Sequence, residues 1–163
     1  MNIKDAVRQQ FAVSDFFVEN YLSDITPAEM LVRPAPGANH VAWQLGHLIS
    51  AETHLVEAAS PGSMPALPEG FAARHSKETA SSDNPKDFLS KDEYLALAQV
   101  VRAASLRALD SLSEADLDKP ISGRVPPFVK RAGDCLVVAG GHWTLHAGQW
   151  VVLRRHLGRD RKF

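Results

Sequence analysis

From about Ala132 to Leu157 the sequence keeps one helical pattern for about 25 residues without a proline, and at 1.5 Å per residue such a helix is roughly 38 Å long. The chain has 163 residues, enough for one domain with its own core, spanning 1–163. A rod of that length is one full side of a bundle, so the other elements have to lie along it. Leu136, Val137 and Val138 open its apolar run, Trp150, Val151, Val152 and Leu153 continue it, and Gly158 is placed to end it as a C′ glycine. Arg154, Arg155 and His156 suit the negative end of the helix dipole. Gly140, Gly141 and Gly148 lie inside this helix, each at a cost of up to about 1 kcal/mol against alanine. Close approach of a neighbouring helix or of a ligand is expected there.

Three more helices are readable. Apolar residues recur at helical spacing from Ile3 to Leu22. Thr26, Pro27 and Glu29 mark a short turn of helix up to Leu31, and Pro34, Pro36 and Gly37 end it. Asn39 is placed to cap a second long helix from about His40 to Ala59, with Val41, Leu45, Leu48, Ile49, Leu55 and Val56 as its buried stripe. Residues 60–85 show no sustained period and are expected to form a long surface connection with one short helix around Ala72. Ser90 and Glu93 form a capping box that opens a third long helix, running to about Leu112. Prolines at 120, 126 and 127 break 113–130, so 121–129 is expected to cross the bundle as a loop, with brief extended pairing as the alternative. The expectation is an all-α four-helix bundle with long crossover connections.

Composition narrows the function classes. A net charge of −1 gives no field that would gather nucleic acid, and no run approaches the roughly 18 apolar residues of a membrane span, so neither partner is expected. With no apolar leader among the first residues, a cytoplasmic location is the expectation. The basic stretch 158–163 reads as solvated. The single cysteine, Cys135, excludes an internal disulfide and Cys-based zinc clusters, and it reads as a buried, inert thiol. Any metal must be held mainly by histidine.

Two histidines, His142 and His146, stand four residues apart and therefore on one helix face, where their imidazoles can converge on one ion. That is half of a site. His47 is the best third ligand, because it interrupts the apolar run Leu45, Leu48, Ile49, where an unpaired imidazole is costly. His40 and His54 share its heptad stripe and compete for the position, whereas His75 and His156 read as solvated. Imidazole nitrogen suits zinc, nickel, iron or copper, and three such ligands leave positions open for water and substrate. Gln149 lies on the face of His142 and His146, where it can hydrogen-bond a ligand imidazole or a bound water. Spacing alone does not separate a site from coincidence among seven histidines. Trp43, Trp143 and Trp150 read as packing residues, and Glu52 and Glu57 as facing water.

With both histidine stretches in place, the sequence resembles the DinB-like (DinB/YfiT-like) superfamily of metal-binding four-helix bundles. Trp43-Gln44-Leu45-Gly46-His47-Leu48 matches that family's W-x-x-G-H-L stretch, and His142 to Gln149 its H-x-x-x-H-x-G-Q stretch. Arg155-His156-Leu157-Gly158 is similar to the ending that follows. The resemblance implies an up-down-down-up bundle, often a homodimer, holding a divalent metal (zinc, nickel, iron or manganese) on His47, His142 and His146. Members with known activity include bacillithiol S-transferases and mycothiol-dependent maleylpyruvate isomerases. A low-molecular-weight thiol is thus an implied second cofactor, and the implied chemistry is S-transfer or hydrolysis of a small-molecule substrate by an activated thiol or water. The alternative is a non-enzymatic bundle that keeps its metal for stability.

Overall fold

A computed structural model describes residues 2–162. Four long helices, α1 (Ile3–Leu22), α2 (Val41–Ala59), α4 (Lys91–Ser111) and α6 (Ala132–His156), carry the fold. The single-turn helices α3 (Phe71–Arg74) and α5 (Glu114–Leu117) sit in the connections. The only β-type pairing among the described residues is one isolated bridge, Pro120 with Arg131, which closes the base of the loop before α6.

Helix α6 packs on both α1 and α2, α2 also packs on α4, and α1 touches α4 only lightly. Side-chain pairs give the directions. Gln10 meets Thr144, and Arg154 reaches the Tyr21 carbonyl, so α1 and α6 run parallel. Lys4 bonds the Asp110 carbonyl and Lys91 the Leu22 carbonyl, so α4 opposes α1. Trp150 meets Gln44 and Trp143 meets Glu52, so α2 opposes α6. The bundle is therefore up-down-down-up.

The helix ends follow capping chemistry with one substitution. Ser90 and Glu93 form their capping box at α4. At α2 the cap is His40 rather than Asn39: its Nδ1 accepts the Trp43 backbone N–H at 3.1 Å, while its Nε2 meets the Ser82 carbonyl. An imidazole thus does the work expected of an amide, and His40 is fully buried away from the other candidate ligands.

Two apolar clusters fill the bundle, one built around Leu45, Leu48, Ile49 and Trp150, the other around Val7, Phe11, Val56 and Leu136. Between them lies a buried polar layer. Glu52, expected to face water, is 1% exposed: it accepts the Trp143 indole N–H at 2.6 Å and the Ser105 hydroxyl at 2.7 Å, with the Arg102 guanidinium 3.2 Å away. Burial pushes its carboxyl above the ordinary range, and Arg102 works against that. Glu57 instead caps the turn after α2 through the Gly62 and Met64 N–H groups.

The C-terminal stretch is not simply solvated. Arg159 bonds both carboxylate oxygens of Glu29 at 2.7 Å, and buried Arg154 holds Asp24. Phe163 lies outside the described residues. Among the described residues no helix is long and apolar enough to cross a membrane.

Candidate metal centre

The fold brings His47, the residue expected as third ligand, beside the other two histidines. His47 of α2 and His142 and His146 of α6 place one potential ligand atom each within 4.8 Å of one another. Ring centroids are 5.0 Å apart for His47 and His142, 4.8 Å for His142 and His146, and 5.5 Å for His47 and His146. Tetrahedral zinc with nitrogen ligands near 2.0–2.1 Å needs nitrogens roughly 3.3 Å apart, so modest ring rotations bring the three onto one ion.

Protonation state fits the same use. Burial and the neighbouring imidazoles lower His142 to about 4 and His146 to about 3, and burial also lowers His47. At neutral pH all three are unprotonated and offer lone pairs.

The hydrogen-bond shell fixes which nitrogen is offered. The Trp150 indole can only donate, so the Gln44 atom 2.8 Å from it is the amide oxygen, Oε1. That oxygen also faces His146 Nδ1 at 3.2 Å, and therefore Nδ1 carries the proton and Nε2 is bare. The other end of the amide donates to the Asn39 carbonyl at 2.6 Å, which locks its orientation. Gln149, assigned this kind of contact from the sequence, is exposed; the hydrogen bond to a ligand imidazole comes from the facing helix instead.

His47 is held by a different device. Its ring stacks on Trp43 with centroids 4.9 Å apart and planes 8° from parallel, and the Trp43 indole donates to the Ser76 carbonyl at 3.2 Å. His75, read from the sequence as solvated, is in fact 2% exposed. Its Nδ1 donates to the Phe71 carbonyl at 2.7 Å, so its Nε2 accepts the Tyr94 hydroxyl at 2.6 Å. Space for this ring exists only because residue 46 is glycine: a Cβ there would stand 2.1 Å from the His75 ring. The glycine before His47 thus admits the ring that ties the 60–90 connection to α2 and Tyr94.

Beside the triad lies a cavity of about 580 Å³ between α2, α6 and the loop before α6. His47 and His142 form part of its wall, and exposed His54 lines it while its Nε2 meets the Arg124 carbonyl. His156 is exposed, as expected, and Cys135 is buried with its thiol pushed up to about 11. Of the glycines in α6, Gly140 faces Gln10 and Phe11 of α1, as close packing requires, but Gly141 and Gly148 face open space.

A family model for the DinB superfamily matches residues 18–150. Among solved structures, the chain is similar to a conserved protein from Enterococcus faecalis, with 21% identity, a TM-score of 0.71 and coverage of 98% of this chain and 99% of that one. At that identity the likeness speaks for the fold alone. No curated protein matches the sequence.

Proposed function

The chain belongs to the DinB superfamily, and from that membership and its three converging imidazoles we propose that it is a divalent-metal-dependent enzyme activating a thiol or water for S-transfer or hydrolysis. One observation carries the reading: three unprotonated histidines from two helices point at a common centre, and Gln44 leaves His146 Nε2 free for that centre. Bound there, a divalent ion such as zinc, nickel, iron or manganese supplies Lewis acidity, lowering the pKa of a thiol or water into the neutral range.

The residues of the chain do the rest. His47, His142 and His146 hold the ion, the Trp43 stack orients the first ring, and Gln44 fixes the tautomer of the third. Three candidate ligands, with no fourth His, Cys, Asp or Glu grouped with them among the described residues, favour a reactive site over a saturated structural one, and the adjoining cavity gives a small molecule access. A homodimer belongs to the same proposal and is measured by light scattering.

The test is metal content of tag-free protein by inductively coupled plasma mass spectrometry, with His142→Ala alongside. Near one divalent ion per chain, lost in the variant, supports the site; a screen of low-molecular-weight thiols with electrophiles then reads the activity. No bound metal and none taken up on addition would sink the proposal. A large loss of melting temperature in His142→Ala without any thiol- or water-dependent turnover in the parent would favour the metal-stabilised, non-enzymatic bundle.

A further inference from the structure

The cavity beside the triad has a chemistry of its own. Apart from its histidines its wall is apolar, and no Asp, Glu, Lys or Arg lines it among the described residues. Phe128, Leu145 and Val137 stand at its mouth, with 68%, 66% and 45% exposure, unusual for side chains of this size unless something covers them. Its volume of about 580 Å³ falls in the range of small-molecule sites.

Gly141 adds an independent observation. A glycine within a helix is destabilising, and here nothing lies within 4 Å of where its Cβ would be. Packing therefore does not explain it. The empty position lies next to His142 on the cavity wall, where a side chain would take up the space leading to the ring.

We propose that this cavity selects uncharged, apolar molecules and presents them to the His47 and His142 side of the triad, so that the substrate class is a neutral hydrophobic electrophile. A carboxylate or phosphate on the substrate would find no counter-charge in the wall and would lose hydration on entry. An apolar group is favoured by every wall side chain it covers. The inference rests on the metal reading for its chemistry and on the cavity alone for its selectivity.

The test uses the cobalt(II)-loaded full chain and three neutral or anionic metal-binding probes: imidazole, 4-phenylimidazole and imidazole-4-carboxylate, titrated by their effect on the visible cobalt spectrum. 4-Phenylimidazole is expected to bind at least about tenfold more tightly than imidazole, and the carboxylate no more tightly. Gly141→Leu, which meets open space, should keep the cobalt spectrum and lose the phenyl preference. In metal-free protein the neutral dye Nile red should bind with blue-shifted emission, and the same variant should abolish it. Equal affinities, preference for the anionic probe, or a preference that survives Gly141→Leu would overturn the proposal while leaving the metal site standing. Failure to develop a cobalt spectrum at all would remove the metal reading, and Nile red binding would then decide the cavity by itself. Concentration-dependent dimerisation lost in Leu145→Asp, with no phenyl preference, would make the patch an interface between copies and also overturn it.

Discussion

Gly46→Ala is a one-carbon change with an outcome opposite to its usual one. In an ordinary helix interior the substitution is stabilising by about 1 kcal/mol. Here the new Cβ would stand 2.1–2.3 Å from three atoms of the His75 imidazole, far inside contact distance. The ring has no slack, because both nitrogens are bonded, to the Phe71 carbonyl and the Tyr94 hydroxyl. It must leave, and both bonds go with it, at about 1 kcal/mol each. The Tyr94 hydroxyl, fully buried, is then left unsatisfied for a further ~1–3 kcal/mol. Against the helix gain, the net loss is about 2–4 kcal/mol, or a melting temperature lower by roughly 5–15 °C. Urea and thermal melts of metal-free protein measure it. The decisive comparison is a double-mutant cycle: with His75→Ala already in place the clash is gone, and Gly46→Ala should become neutral or mildly stabilising. A Gly46→Ala variant as stable as the parent, or one equally damaging in both backgrounds, would refute the claim that this glycine exists to admit His75.

Three further outcomes follow from the same geometry. Gln44→Leu should weaken divalent-metal affinity by about 10–100-fold in a chelator competition, because His146 loses the acceptor that fixes its Nδ1 proton; unchanged affinity would count against that role. Glu52→Leu should destabilise by up to about 3–5 kcal/mol in urea melts, since buried Arg102 keeps only part-exposed Asp15, 3.2 Å away, as a counter-charge and the Trp143 indole loses its acceptor, and a loss below ~1 kcal/mol would show the pair to be dispensable. Metal-free protein should lose stability as pH falls from 7 to 5: an unfolded histidine titrates near 6.5, His142 and His146 only near 4 and 3, so over this window the unfolded chain binds more protons. Glu52 and Asp15, raised by burial, act in the opposite sense, so the check is that the pH slope shrinks in a His142→Gln/His146→Gln variant; an unaltered slope contradicts the assignment.

The helices and the triad were legible because both rest on local periodicity. Spacing of four puts His142 and His146 on one face whatever surrounds them, and apolar neighbours singled out His47 from His40 and His54. What spacing does not carry is the identity of the facing helix. Glu52 lies off the His47 stripe, which by periodicity alone points to solvent; on α2, which has neighbours on two sides, it means α4 and Trp143 instead. Likewise Gln149 shares a face with the ligands, but the polar atom that reaches His146 belongs to Gln44 across the interface. His75 was hidden in a polar, unpatterned connection. Its only sequence trace is Gly46, an unexplained glycine inside an otherwise tightly packed helix.

The parallel pairing of α1 with α6 bears on how the protein is made. These two helices pack extensively on each other, yet about 110 residues separate the end of one from the start of the other. At a translation rate of roughly 5–20 residues per second, α1 waits about 5–20 s after its own synthesis before its partner exists. Val7, Phe11 and Val18 have no lasting shelter during that interval, because α1 touches α4 only lightly. The apolar face of α1 is therefore buried in its native place only once α6 has left the ribosome, and the histidine cluster, which needs α6 for two of its three members, forms at that same late moment.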